Sequence, residues 1–293
     1  MKVGVTLATN DLVERRPIPF AEMVDAAVRA EEMGYDSVWV LDHVFVDRGE
    51  FRAQVGPDPL ILLTAIAART KRIELGTLVL CAPFRLPVQL ARETKALQEV
   101  SGGRFILGIG AGWHQPEFDA FGIPFDHLVG RLEDYTEVLT RLLGDGRASF
   151  EGPHQVLREG QVFGESSPPP WIAARGPRML RLTGRLAGGW NGAWYGPDPS
   201  VFRRLLGDVE AALAEAGRDR STFSASAGIF VLPGDPATET AIGGSAAEIV
   251  DALGAYRRAG CDHAILNFAP MPFSQVDAGH AEKVAPLLDL IRG

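Results

Sequence analysis

Asp42 and His43 directly follow the apolar run at residues 37–41 (SVWVL), so a carboxylate and an imidazole stand at the end of a predicted strand. Histidine titrates near neutral pH and can give or take a proton beside a developing charge. His43 is therefore the sharpest acid–base candidate, the alternative being a histidine that only packs. A second stretch with chemical promise is residues 104–113 (RFILGIGAGW), where Gly108, Gly110 and Gly112 alternate with apolar residues. Glycines in that setting permit positive φ and let a phosphate or flat ring come against main-chain amides. At residues 173–177 (AARGP), Ala173, Ala174 and Gly176 precede a predicted helix whose first-turn proline is Pro177. Unpaired amides at a helix start, with Arg175 and Arg178 nearby, suit a phosphate, although a plain capping turn explains the same residues.

Other chemistries lack their residues. The six histidines are scattered, neither H-E-x-x-H nor a Cys/His cluster occurs, and there is no G-x-S-x-G, so neither metal catalysis nor a serine nucleophile is indicated. The net charge is −8 and no Lys/Arg run could track a phosphate backbone, which disfavours a nucleic-acid partner. Cys81 and Cys261 form no C-x-x-C pair and read as reduced thiols. The chain opens into strand-like KVGVTLAT, and no uncharged apolar run is long enough to span a bilayer. A cytoplasmic, unprocessed protein acting on small molecules away from membranes is expected.

These residues need a scaffold, and the pattern supplies one. Predicted strands at 2–9, 37–41, 73–80, 104–113, 171–174, 189–194, 223–232 and 263–268 alternate with predicted helices. The helices begin at residues 20, 58, 87, 128, 177, 198 and 245, and a last one carries Val284, Leu287, Leu288 and Ile291 on one face. Asp58-Pro59 and Asp198-Pro199 read as caps followed by a first-turn proline, and Ser245-x-x-Glu248 as a capping box. About eight βα units in 293 residues predict one domain, 1–293, a (β/α)8 TIM barrel. Residues 146–170 break the rhythm with Gly, Pro and Ser and read as an inserted loop or hairpin, substrate-facing or merely superficial. An open doubly wound sheet is the rival, but the first βα turn lacks G-x-G-x-x-G. In a barrel the chemistry sits where strands end. That filter selects Thr9-Asn10, Asp42-His43, residues 78–82, 110–114 and 173–177, Trp194 and Asn267.

SVWVLDH at 37–43, LGTLVL at 75–80, PFRLPVQLARE at 83–93, LQEVSGGRFILGIGAGW at 97–113 and WIAARGPRMLRLTGRLAGGW at 171–190 together resemble the bacterial luciferase-like flavin/deazaflavin oxidoreductase family. The resemblance implies a βα barrel that binds FMN or coenzyme F420 at its C-terminal mouth, as a homodimer. The pattern at 173–184 resembles the F420-dependent branch and would bring Ala173, Ala174, Gly176 and Pro177 to the cofactor's phosphate side chain. It also implies a non-prolyl cis peptide at Leu78-Val79 behind the central ring, and an Asp42-His43 pair near the reactive face. Two departures stand out. Sugar-phosphate dehydrogenases of the family carry a glutamate where this chain has Trp113, with Glu117 its nearest carboxylate, and their Ala-Asp-Gly is here Ala187-Gly188-Gly189.

The expected activity is thus F420-dependent hydride transfer with a small apolar or aromatic substrate. His43 would handle the proton, Asp42 would orient it or touch the ring, and Trp113, Trp194 and Phe45 would wall the substrate. The alternatives are an FMN-dependent monooxygenase fed by a partner reductase, and a barrel that binds ligand without turnover.

Overall fold

A computed structural model describes residues 1–11, 16–48, 51–269 and 279–293. Eight parallel strands make its centre: β1 (Lys2–Thr6), β2 (Ser37–Val40), β3 in two pieces (Glu74–Thr77 and Leu80–Cys81) and β4 in two pieces (Phe105–Ile106 and Gly108–Gly110). They continue as β5 (Trp171–Ala173), β6 (Gly189–Tyr195), β7 (Ser224–Pro233) and β8 (His263–Asn267). Each pairs with the next, and β8 returns to β1 in the register Lys2↔His263 to Val5↔Leu266, so the sheet closes on itself. Closure excludes the open doubly wound rival. The break in β3 holds the expected cis peptide Leu78-Val79, and a second one, Ala193-Trp194, lies in β6.

Helices α1 (Phe20–Glu32), α2 (Pro59–Arg69), α3 (Pro87–Ser101), α4 (Gln115–Phe121), α5 (Leu128–Gly144), α6 (Pro177–Leu186), α7 (Ser200–Glu215) and α8 (Ala246–Arg258) connect the strands. The local signals explain most of their starts. Asp58 accepts hydrogen bonds from the Leu60 and Ile61 amides, and Ser245 and Glu248 form a reciprocal capping box. At Asp198-Pro199 the expected start moves: α7 begins at Ser200, with Asp198 Oδ1 accepting from the Ser200 amide at 2.9 Å. The short aspartate folds back on the amide two residues on, a local turn that competes with capping.

In α5, Leu132, Tyr135, Leu139 and Leu142 are buried, as their spacing predicts, and face the barrel wall. At the bottom of the barrel Trp39 and Trp171 lie 5.8 Å apart with His263 edge-on to both. Trp39 Nε1 donates to Ser37 Oγ at 2.7 Å, and that oxygen is 2.7 Å from His263 Nε2. Burial without a charged partner pushes His263 down to about 3.

The insertion is an antiparallel hairpin, Arg147–Glu151 with Val156–Gln161, packed beside α5. Short antiparallel ribbons follow β1 (Asn10–Asp11 with Arg16–Pro17) and β2 (Phe45–Arg48 with Phe51–Gln54). Neither ribbon was expected from the sequence, nor was α4. No helix among the described residues is long and apolar enough to cross a membrane.

Candidate active site at the barrel mouth

The turn out of β4 builds the site. Gly112 has φ +83°, and a Cβ there would stand 2.5 Å from Phe118, so only glycine lets the chain double back so tightly into α4. Pro116 lies in the first turn of that helix, and Gly122, left-handed, ends it. The turn sets Glu117, 1% exposed, beneath the chain leaving β2. Glu117 Oε2 lies 2.8 Å from His43 Nδ1, while Oε1 accepts from the Val44 amide at 2.7 Å and the Phe45 amide at 3.3 Å. Burial alone would raise this carboxyl, but the His43 hydrogen bond and the two amides hold it below the usual carboxylate range. An ionised carboxylate only accepts, so Nδ1 carries the proton.

Asp42 points elsewhere. Its Oδ2 accepts from the Cys81 amide at 2.8 Å and from Arg85 Nη1, and its Oδ1 accepts from Arg85 Nη2 at 3.1 Å. Arg85 also donates to Asp58 Oδ2 at 2.8 Å. The expected role of Asp42 as orienter of His43 is therefore corrected: the carboxylate on the imidazole is Glu117. A guanidinium only 14% exposed demands carboxylates in its fork, and Asp42 answers that demand while tying β2 to the segment after the cis peptide.

A cavity of about 370 Å³ opens among these strand ends, within the usual range for small-molecule sites. Asp42, His43, Leu78, Val79, Gly110, Gly112, Trp113, Ala173, Ala174, Arg175 and Trp194 all line it. Gly176 and Pro177 do not; they form the cap and first residue of α6, just past Arg175. Phe45 does not either. It is 7% exposed and turned toward His114 and Phe121, because Glu117 holds its amide and draws the backbone inward. The insertion contributes no residue to the lining of this cavity. Asn10 lies in the first ribbon, where no side chain is described.

Most of the wall is apolar. Val79 lies against bare Gly110, where a Cβ would stand 2.9 Å from Val79 Cγ2. Trp113, 56% exposed, sets its ring edge-on to His43 at 5.3 Å. Trp194 stacks on Phe230 at 5.0 Å. Arg175 donates to the Ala193 carbonyl at 2.9 Å and lies over the Tyr195 ring. Arg178, expected nearby, is drawn away onto Glu133 at the surface. Among the lining residues that the strand-end filter did not single out are Glu117, Phe118, Met179 and Asn191.

Residues 1–241 match the family described as luciferase-like monooxygenase. The chain is 33% identical over 209 residues to the F420-dependent glucose-6-phosphate dehydrogenase of Microbacterium testaceum (strain StLB037), covering 68% of this chain and 60% of that one. It is 30% identical over 196 residues to the 5,10-methylenetetrahydromethanopterin reductase of Archaeoglobus fulgidus, covering 66% and 55%. The match thus spans less than two thirds of either relative's length. Among solved structures, an F420-dependent secondary alcohol dehydrogenase in complex with an F420-acetone adduct shares the fold, with a TM-score of 0.82 at 17% identity over 100% of this chain and 99% of that one. The F420-dependent tetrahydromethanopterin reductase of Methanopyrus kandleri does so with a TM-score of 0.77 at 19% identity over 97% of each. From the family match, together with a closed barrel and the cis peptide at Leu78-Val79, it follows that this chain belongs to the luciferase-like monooxygenase family.

Proposed function

We propose that this chain is a coenzyme F420-dependent oxidoreductase acting on a small apolar or aromatic substrate. The observation that carries the reading is the His43–Glu117 pair set at the edge of a mostly apolar cavity. Relatives named for F420-dependent dehydrogenation support the choice of cofactor. The residues present fit it: bare Gly110 beside Val79 leaves a surface that a Cβ would fill, and Arg175 with the start of α6 offers a cation and main-chain donors to a phosphate. When bound, the deazaflavin supplies a ring carbon that accepts or donates hydride.

The protein's own contribution is orientation, water exclusion and one proton. Glu117 holds the imidazole by Nδ1. His43 Nε2 then takes the hydroxyl proton of a substrate being oxidised, or returns it to a carbonyl being reduced. Trp113 and Trp194 present rings rather than charges to the substrate. Arg175 is the only Lys or Arg among the described residues that line the cavity, and the cofactor's phosphate has first claim on it. A second phosphate, on the substrate, would find no further cation among the described lining residues, which supports the apolar or aromatic class.

Fluorescence titration with F420 and, separately, with FMN tests the reading. Tight F420 binding with weak FMN binding is expected. Tight FMN binding with none of F420 would instead favour a monooxygenase supplied with reduced flavin by a partner reductase.

A further inference from the structure

Asn191 is 2% exposed and contributes to the cavity lining from β6. Its Nδ2 donates to Ser226 Oγ at 3.0 Å, and Ser226 Oγ donates in turn to the Trp190 carbonyl at 3.1 Å. Because the hydroxyl proton is spent on that carbonyl, the serine oxygen can only accept from Asn191. The network therefore fixes the amide with its nitrogen toward Ser226 and Oδ1 on the other side. No protein group among the described residues donates to Oδ1. The oxygen lies toward Gly108 in β4: a Cβ built there would stand 2.1 Å from the Thr77 carbonyl oxygen, 3.0 Å from Oδ1 and 3.1 Å from Val79 Cγ1. Val79 is the wall that continues past Gly110, so this acceptor lies at the deep end of the surface proposed to take the ring.

We propose that Asn191 Oδ1 recognises the inner edge of the bound ring by accepting a hydrogen bond from a cyclic amide or imide N–H. The proposal rests on the reading of the cavity as a ring site. A buried carbonyl oxygen without a donor is costly, so a ring edge that brings an N–H is favoured over one that brings a methyl group or a second acceptor. His43 and Trp113, whose rings meet edge-on, also line the cavity, and the substrate is left the space beside them. Oxidised flavins and deazaflavins alike carry one N–H on the pyrimidine ring. Asn191 thus selects the ring type and does not tell the two cofactors apart.

The test compares F420 with F420 methylated on that pyrimidine nitrogen, each titrated into the wild-type protein and into Asn191→Leu by ring fluorescence. Wild type is expected to bind the methylated ring about tenfold more weakly, the size of one buried neutral hydrogen bond. Asn191→Leu should bind F420 itself about tenfold more weakly and distinguish the two rings by less than about twofold. The ring N–H proton, followed by NMR, should exchange slowly with water in the wild-type complex and faster in the variant. If Asn191→Leu does not fold, the two-ring comparison and the exchange rate on wild type still decide. Equal affinity of wild type for both rings overturns this proposal and leaves the F420 reading standing. Failure of wild type to bind either F420 or FMN overturns both.

Discussion

Glu117 and His43, seventy-four residues apart in sequence, meet at 2.8 Å because the turn at Gly112 folds α4 under the end of β2. The same carboxylate fastens the Val44 and Phe45 amides, so the group that sets the imidazole's tautomer also fixes the backbone carrying it. Replacing His43 by Ala should lower kcat by about 100-fold or more, the usual worth of a positioned acid–base group, while F420 affinity changes by less than about threefold. Equal losses in kcat and cofactor affinity would show that His43 binds the ring and does not move a proton.

Glu117→Gln keeps the shape and removes the charge. Its cost to stability should depend on pH in a defined direction. The carboxyl is held below its ordinary 4.5 in the folded state, so its stabilisation is present above that value and disappears as pH falls through the folded one. Denaturation at pH 7 and at pH 3 should show the gap between variant and wild type narrowing on acidification. A constant gap would mean that the lost interaction is packing and not charge.

Arg85 and Asp42 are 14% and 7% exposed, with two hydrogen bonds between them. Breaking such a pair leaves a buried charge uncompensated, at a cost of about 3–5 kcal/mol. Arg85→Met should lower stability by roughly that much, measured by urea unfolding, and adding Asp42→Asn should recover part of it. Asp58, also bonded to Arg85 but 45% exposed, should matter far less when changed to Asn.

The bottom of the barrel gives a pH dependence of the same sign from a histidine, over a higher pH range. His263 is pushed from 6.5 to about 3 by burial, so between those values the unfolded chain binds the proton that the folded chain refuses. Stability contributed by the neutral ring is complete above pH 6.5 and declines below it, at up to about 1.4 kcal/mol per pH unit. His263→Gln should flatten the acid side of the stability curve relative to wild type. Identical acid slopes in the two proteins would show that His263 is protonated without cost.

The barrel was readable because each strand is a short apolar run closed by a cap or glycine, a local signal that Asp58, Ser245 and Gly102 carry in their own side chains or torsions. Strand ends then pointed to His43, Gly110 and Arg175 without any knowledge of contacts. What the sequence could not show was pairing across distance. Asp42 precedes His43 and invites the reading of a partner, yet Arg85 claims it from forty-three residues away. Glu117 sits in a seven-residue helix too short for a periodic signal, so its spacing from Gly112 hinted at a carboxylate nearby without saying where it would land. Phe45 was expected in the wall and turned inward, since the direction of a side chain after a strand end depends on what holds the backbone there. Asn191 lies three residues before Trp194, the position the filter selects in that strand, and its unpaired oxygen becomes visible only when Ser226 and Gly108 are placed beside it.

Arg175 offers the clearest separation of a binding role from a scaffolding one. Its guanidinium donates to the Ala193 carbonyl, the residue before Trp194, so its loss could act either on a phosphate or on the position of that tryptophan. A charge-assisted contact to phosphate is worth about 1.5–3 kcal/mol, so Arg175→Met should weaken F420 by at least about tenfold. The deazaflavin lacking its phosphate should bind wild type and variant alike, because only the phosphate-bearing form uses the charge. Raising the salt concentration should erode the wild-type advantage for F420 and leave the phosphate-free ring unaffected. Equal weakening of both ligands would place the effect at Trp194 and remove Arg175 from the phosphate site.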